Sequence, residues 1–232
     1  MRWPGPRWAG LRRPRRELCP QAAYTLWAPT YADEPANEVM RLEQEAVLSL
    51  LPPVRDKTVL DLACGAGRYL KRLQAGGAAL SFGIDLTPAM LVKARALSSR
   101  LARADFVGLP VAAGSLDLVV CALAVGHAAC LGALLGEVAR VLRPGGAIVY
   151  SDLHPDAAGS GWKRSFVDPR GRVHSVRHHV HTKRDHLEAC SAAGLEIEDV
   201  AEPLVDFAHA WKGRPAVLAL RARRTGSPTG GR

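Results

Sequence analysis

The stretch "VLDLACGAGRYL", Val59 to Leu70, ends an apolar run with an acid and two glycines, reading D-x-x-C-G-x-G from Asp61 to Gly67. Glycines at that spacing let a backbone turn tightly and approach a ligand closely. A dinucleotide fingerprint adds a third glycine, but that position is Leu70. A phosphate-cradling P-loop would close on Lys followed by Ser or Thr, and neither follows here. Asp61 would repel a pyrophosphate and attract a cationic ammonium. A second acid, Asp85, ends the next apolar run 18 residues after Gly67. A carboxylate there suits a ribose diol, since it can accept from both hydroxyls. NAD enzymes use the same device, so Asp85 alone does not choose between ligands.

Other side chains with chemical potential cluster later. Six of the eight histidines lie between 154 and 186: His154, His174, His178, His179, His181 and His186. His179 and His181 are two apart, so in an extended segment both face one side. His127 and His154 each follow a predicted strand directly, a good place for a general base. The five cysteines show no C-x-x-C spacing, and no cysteine or acid completes a metal set among the histidines. The expectation is a reduced protein without disulfides and without a metal.

These residues need a scaffold that brings loops together. Asn37 predicts the cap of a helix over Val39, Leu42, Ala46 and Leu50, stopped by Pro52–Pro53. Strands are predicted at 58–62, 79–85, near 102–106, at 116–123 and at 147–153, with helices between them. Thr87–Pro88 starts the helix "AMLVKARALSSRL", and the helix carrying Leu131, Leu134, Leu135, Val138 and Leu142 ends at "RPGG". Thr182 caps a further helix that stops at Gly194, and "LEIEDVAEPLV" and "AVLALRAR" predict a closing hairpin. The expected fold is α/β, a Rossmann-like doubly wound sheet of about seven strands, mostly parallel with a closing antiparallel hairpin. Ligands of such sheets lie beyond the carboxyl ends of the strands, which selects the loops 63–67, 85–88, 105–106 and 122–127.

Charge refines the picture. The net charge of +9 sits at the ends: residues 1–17 hold six arginines and one acid, residues 221–232 hold four arginines, and the rest is balanced. The predicted division is a basic, disordered tail at 1–20, one domain at 21–222 whose rhythm is broken by a polar, glycine-containing segment at 153–182, and a disordered tail at 223–232. No apolar run approaches the roughly 20 residues of a membrane-spanning helix. A cytoplasmic location is expected, with an organelle-targeting role for the Arg-rich first 17 residues left open.

The segments "VLDLACGAGR", "GIDLTPAML", "ADFVGLPVAAGSLDLVV" and "EVARVLRPGGAIVYSDLHP" stand in order. Together they resemble class I S-adenosylmethionine-dependent methyltransferases of the small-molecule, ubiquinone/menaquinone-biosynthesis-like type, over residues 24–200. The resemblance implies S-adenosyl-L-methionine as cofactor. It implies Asp61, Ala63, Gly65 and Gly67 at the methionine end, Asp85 on the ribose, Leu86 beside the adenine, and Asp105 with Phe106 at the adenine amino group. It places Ala122 to His127 along the methyl-transfer site, Tyr24, Trp27 and Tyr31 in a segment folded over the cofactor, and residues 153–182 in a substrate-covering insertion. It also implies an H-x-H before the 183–192 helix, pointing to His179 and His181 as candidate base or substrate clamp, with His127 and His154 as further candidates.

The motifs for amino-group, cytosine-C5, protein-arginine and magnesium-dependent catechol methylation are absent, so a metal-independent transfer to a small-molecule acceptor is expected, at O, N or C. Three alternatives remain at this stage. One is an RNA methyltransferase that grips nucleic acid with basic tails, disfavoured by the neutral core. The others are a catalytically silent cofactor-binding partner of another enzyme and a NAD-linked oxidoreductase, the last disfavoured by Leu70. Homodimerisation and a partner subunit are left open.

Overall fold

Leucine, isoleucine and valine fill the strands of this chain on both faces, as a sheet covered on each side requires. The computed structural model describes residues 16–226. In chain order its elements begin with β1 (Glu17–Leu18), α1 (Pro20–Trp27) and α2 (Glu38–Leu50). The alternating region follows: β2 (Thr58–Leu62), α3 (Arg68–Ala75), β3 (Leu80–Asp85), α4 (Pro88–Ala94), β4 (Leu101–Arg103), β5 (Leu116–Cys121), α5 (Leu131–Val141) and β6 (Leu142–Leu153). Then come α6 (Pro155–Gly159), β7 (Ser165–Val167), β8 (Val173–Val176), α7 (Lys183–Ala192), β9 (Leu195–Ala201) and β10 (Val217–Arg224).

Seven strands form one sheet in the order β4-β3-β2-β5-β6-β10-β9. The first five are parallel, and β10 lies antiparallel to both β6 and β9. This is the expected Rossmann-like α/β sheet with its closing hairpin. Alternation along β5 sends Val119 and Cys121 into a core with Leu134, Leu135 and Val138 of α5. Leu118 and Val120 enter the opposite core with Ala46 and Val47 of α2 and Tyr69 and Leu73 of α3. The strand order reverses between β2 and β5, so the loops after these strands face a common crevice.

The missing third glycine has a packing explanation. A Cβ added to Gly83 of β3 would lie 2.9 Å from Leu70 Cδ1 and 2.7 Å from Cys64 Sγ. Close helix–strand contact is thus provided by a glycine on the strand, over which Leu70 fits.

Local signals held at the caps. Asn37 accepts from the Met40 amide at 2.9 Å, and Thr182 forms a capping box with Asp185. Some boundaries differ from the sequence expectation. α4 stops at Ala94, because Ser98 Oγ accepts from the Arg100 amide and Leu101 pairs with Gly83 in β4. β6 starts at Leu142, opposite Leu116, and its pairing shifts before resuming at Ala147 with Leu118. The expected insertion carries its own three-stranded sheet, β1-β8-β7, in which Glu17 and Leu18 pair in parallel with Ser175 and Val176.

That pairing corrects the tail boundaries. Glu17 to Pro20, assigned to a disordered tail, are ordered against β8 and in the first turn of α1, because Leu18 is buried with Ala23, Phe166 and Val176. Arg223 and Arg224 likewise end β10 instead of belonging to a tail. Arg223 pairs with Glu198, and Arg224 donates to the Leu142 carbonyl. Residues 1–15 and 227–232, which carry the rest of the terminal charge, lie outside the described residues. Among the described residues no helix is long and apolar enough to cross a membrane.

Candidate active site

The loop after β2 is shaped by backbone conformations that glycine favours. Ala63, Gly65 and Gly67 have φ values of 57°, 54° and 91°. Asp85, at the end of β3, reaches across to this loop. Its Oδ2 accepts from the Gly65 amide at 2.9 Å and its Oδ1 accepts from the Thr87 amide at 2.7 Å. One carboxylate therefore fixes both the glycine loop and the start of α4. Burial raises the Asp85 pKa from the usual carboxylate value, with both amides acting against it.

Asp61 is buried, and its Oδ2 accepts from the Leu70 amide at 3.1 Å, capping the first turn of α3. Burial pushes its pKa up to about 8. At neutral pH the group is therefore mostly protonated, and a cation brought beside it would favour its ionised form. Tyr31 stands over the loop, its Cε1 4.0 Å from where a Gly65 Cβ would be. These features fit a ligand with a cationic amino-acid end on the loop and a hydroxylated ring beside Asp85. Leu86 follows Asp85, and its carbonyl accepts from Arg103 Nε at 3.2 Å. Asp105 and Phe106 follow β4, with Phe106 packed against the main core.

The opposite side of the crevice is built by the loop after β5 and the insertion. Ala122 packs half-buried on the α2–α3 side. The chain turns at Leu123, which has a φ of 51°. The Leu123 amide donates to Ser151 Oγ at 2.9 Å. His127 Nε2 lies 3.0 Å from Tyr24 Oη and 2.8 Å from Arg164 Nη1. Arginine only donates, so Nε2 is the unprotonated nitrogen, and Nδ1 faces the Arg177 carbonyl at 3.4 Å. Burial, then the neighbouring Arg164 charge, push His127 down to about 3. His127 is a neutral imidazole whose nitrogens are both engaged.

Arg164, supplied by the insertion, is the hub of this side. It also donates to Tyr24 Oη at 2.8 Å and to the Leu123 carbonyl, and pairs with Asp152 Oδ1 at 3.3 Å. Asp152 Oδ2 accepts from the Gly126 amide, and His178 Nδ1 lies 3.9 Å from Asp152 Oδ1. Burial raises the Asp152 pKa, but Arg164, His178 and His127 outweigh it and hold the carboxyl below its usual value. A Cβ on Gly126 would fall 2.2 Å from His178 Cε1, so only glycine leaves room for this contact.

The four candidate histidines are dispersed. His127 is in the crevice. His154 is not: its Nδ1 accepts from the Asp156 amide at 3.2 Å, capping α6, and its Nε2 lies 2.8 Å from Glu202 Oε1. His179 joins the site through its backbone, its amide donating to the Gly126 carbonyl at 2.7 Å. His181 Nε2 lies 3.0 Å from the Ala128 carbonyl, and its ring meets His186 edge-on. The H-x-H pair is thus divided between a backbone tie and a loop tie, and the adjacent His178 is the one beside Asp152. Sequence reasoning also missed Arg164 and Asp152. An acid ending β6 parallel to Asp85 ending β3 was the available signal for Asp152.

Above the crevice, Tyr24, Trp27 and Tyr31 gather with the insertion. Trp27 stacks on Phe166 at 4.8 Å and Tyr24 on Trp27 at 5.8 Å, and Tyr24 meets the His127 ring edge-on at 5.4 Å. Among the described residues no group of three or more His, Cys, Asp or Glu could hold a metal ion.

A methyltransferase-domain family model matches residues 60–150. A malonyl-[acyl-carrier protein] O-methyltransferase of Dechloromonas aromatica is 32% identical over 196 residues, covering 84% of this chain and 72% of the relative. The chain belongs to the S-adenosylmethionine-dependent methyltransferases. A second malonyl-[acyl-carrier protein] O-methyltransferase, from Enterobacter lignolyticus, is 33% identical over 138 residues, covering 59% of this methyltransferase but only 54% of its own length. A crystal structure of an S-adenosylmethionine-dependent methyltransferase from Mesorhizobium loti superposes with a TM-score of 0.64 at 26% identity, covering 79% of this chain and 98% of that one. The cofactor of this methyltransferase is S-adenosylmethionine, and the loop chemistry above fits it.

Proposed function

We propose that Asp61, Ala63, Gly65 and Gly67 hold the amino-acid end of S-adenosylmethionine, Asp85 its ribose, and Leu86, Asp105 and Phe106 its adenine. When bound, the cofactor supplies a methyl group activated on a sulfonium. Ala122 borders that methyl, Tyr24 and Tyr31 cover the cofactor, and residues 153–182 cover a small-molecule acceptor. The observation that carries this reading is the Asp85 carboxylate, which orders the Gly65 and Thr87 amides together and leaves its remaining lone pairs for a diol.

The chain's contribution to transfer is alignment and exclusion of water, since displacement at a sulfonium needs little more than an aligned nucleophile. An oxygen acceptor that is already anionic suits the crevice best. His127 is the candidate base that stays in it, and this histidine is held neutral with Nε2 facing the Arg164 donor. The relatives named for methylating malonyl-[acyl-carrier protein] support a carboxylate oxygen as acceptor.

Calorimetry with S-adenosylmethionine tests the donor side. Asp85→Ala removes two charge-assisted hydrogen bonds and should weaken binding about 100-fold. Unchanged affinity sinks the assignment. Mass analysis of malonyl-[acyl-carrier protein] after incubation tests the acceptor. A methyl ester supports the carboxylate, and no mass gain with the cofactor demonstrably bound removes that acceptor.

A further inference from the structure

We propose that Glu43 is a positioning residue that couples the cofactor loop to the acceptor-side loop, an inference that rests on the methyltransferase reading above. Glu43 lies on α2, distant in sequence from both loops, and is wholly buried. A buried carboxylate is expensive unless donors surround it, and apolar residues of similar size often serve packing as well or better. Its donors therefore show what it is there to join.

Two of them come from the cofactor side. Arg68, the first residue after Gly67, donates from Nη2 to Glu43 Oε2 at 2.6 Å and from Nη1 to the Met40 carbonyl at 3.3 Å. Tyr69 Oη donates to Glu43 Oε1 at 3.0 Å. The end of the glycine loop is thereby pinned to α2.

The third donor leads to the acceptor side. Ser151 Oγ, on β6, donates its one proton to Glu43 Oε1 at 2.7 Å. With that proton committed, Ser151 Oγ is left as an acceptor, and it takes the Leu123 amide at 2.9 Å. Leu123 is the left-handed turn that sends the chain toward Gly126 and His127, a conformation that leucine disfavours and that needs outside support. Its carbonyl in turn receives Arg164. From Arg68, the chain neighbour of Gly67, a hydrogen-bonded path runs through Glu43, Ser151 and Leu123 to Arg164 and crosses from one wall of the crevice to the other.

Hydrogen exchange read by mass spectrometry, with and without S-adenosylmethionine, tests the coupling without needing the acceptor. In the wild type, cofactor should slow exchange in both 63–70 and 123–127. Ser151→Ala should still bind the cofactor and protect 63–70, while the protection gained at 123–127 falls at least about fivefold, the lower end of ordinary site–site coupling. Ser151→Thr retains the hydroxyl and should restore it. Glu43→Gln should behave like Ser151→Ala, and the serine variants decide the matter if the glutamine variant does not fold. A purely structural Glu43 predicts wild-type protection at 123–127 in every variant that binds, and that result overturns the proposal. Failure of the wild type to bind the cofactor is a different outcome: it removes the functional reading and this inference with it.

Discussion

Cofactor binding at pH 7 should release a proton from Asp61. Burial holds this carboxyl at about 8, so in the free enzyme it is ~90% protonated at pH 7. Pairing with the cofactor's ammonium brings it below the ordinary value near 3.9, and the bound carboxyl is ionised. The free α-amino group, with a pKa of roughly 7.8, is ~15% unprotonated at pH 7 and takes up that fraction of a proton. The net release is then ~0.75 proton per cofactor bound. It should approach one at pH 6 and vanish near pH 8, where release and uptake are about equal. Ionising Asp61 at pH 7 opposes binding by about 1.4 kcal/mol, so the affinity should rise with pH over this range. The assay is titration calorimetry in two buffers of different ionisation enthalpy, where the slope of observed heat against buffer enthalpy gives the proton count. Asp61→Asn should reverse the sign to a small uptake. A wild-type count near zero at both pH 6 and pH 7 refutes the account, because Asp61 would then be ionised before binding or remote from the ammonium.

Other expectations follow from the acceptor side and from buried histidines. Arg164→Met leaves Asp152 buried without its cation and should destabilise by about 3–5 kcal/mol. That lowers the melting temperature by roughly 6–20 °C in calorimetry, and an unchanged melting point would show the pair to be dispensable. Stability in acid should depend on His127 and His186, pushed by burial down to about 3 and about 4. Both have folded pKa values below their unfolded ones, so their contribution is complete above about pH 6.5 and is lost as the pH falls toward the folded values. Asp61 is raised and acts oppositely over pH 4–8. Denaturant melts at pH 5–6 should therefore show a dependence about 1.4 kcal/mol per pH unit steeper in Asp61→Asn than in the wild type, and shallower by a similar amount in His127→Gln.

Where the geometry follows from local chain conformation, the sequence was readable. The D-x-x-C-G-x-G loop needs backbone angles that glycine favours, and Asp85 sits where a strand must end, so both could be placed by spacing. Caps at Asn37 and Thr182 are equally local. The acceptor side was not readable, because it depends on contacts between distant segments. Arg164 looks like any polar loop residue until β7 and β8 pair and carry it beneath Tyr24. The family resemblance pointed to His179 and His181, and period-two spacing put both on one face on the premise of a regular extended strand. The backbone tie from His179 to Gly126 breaks that regularity and brings His178 inward instead. His154 was placed correctly after a strand, but Asp156 and Glu202 turn its ring away from the crevice.

The two edges of the seven-stranded sheet have a further consequence. An exposed strand edge is a template on which another chain can add itself, and long, flat, apolar edges seed aggregation. Here β4 closes one side with three residues, too few to hold a register. On the other side β9 exposes Glu196 and Asp199, while Glu198 pairs with Arg221 and Arg223 across the neighbouring strand. The shift in pairing between Arg221 and Ala222 bends that last ribbon away from flatness. Resistance to edge-on pairing is thus written into the sheet margins, and neutralising Glu196 and Asp199 together would remove the charges that guard the β9 edge without touching the crevice.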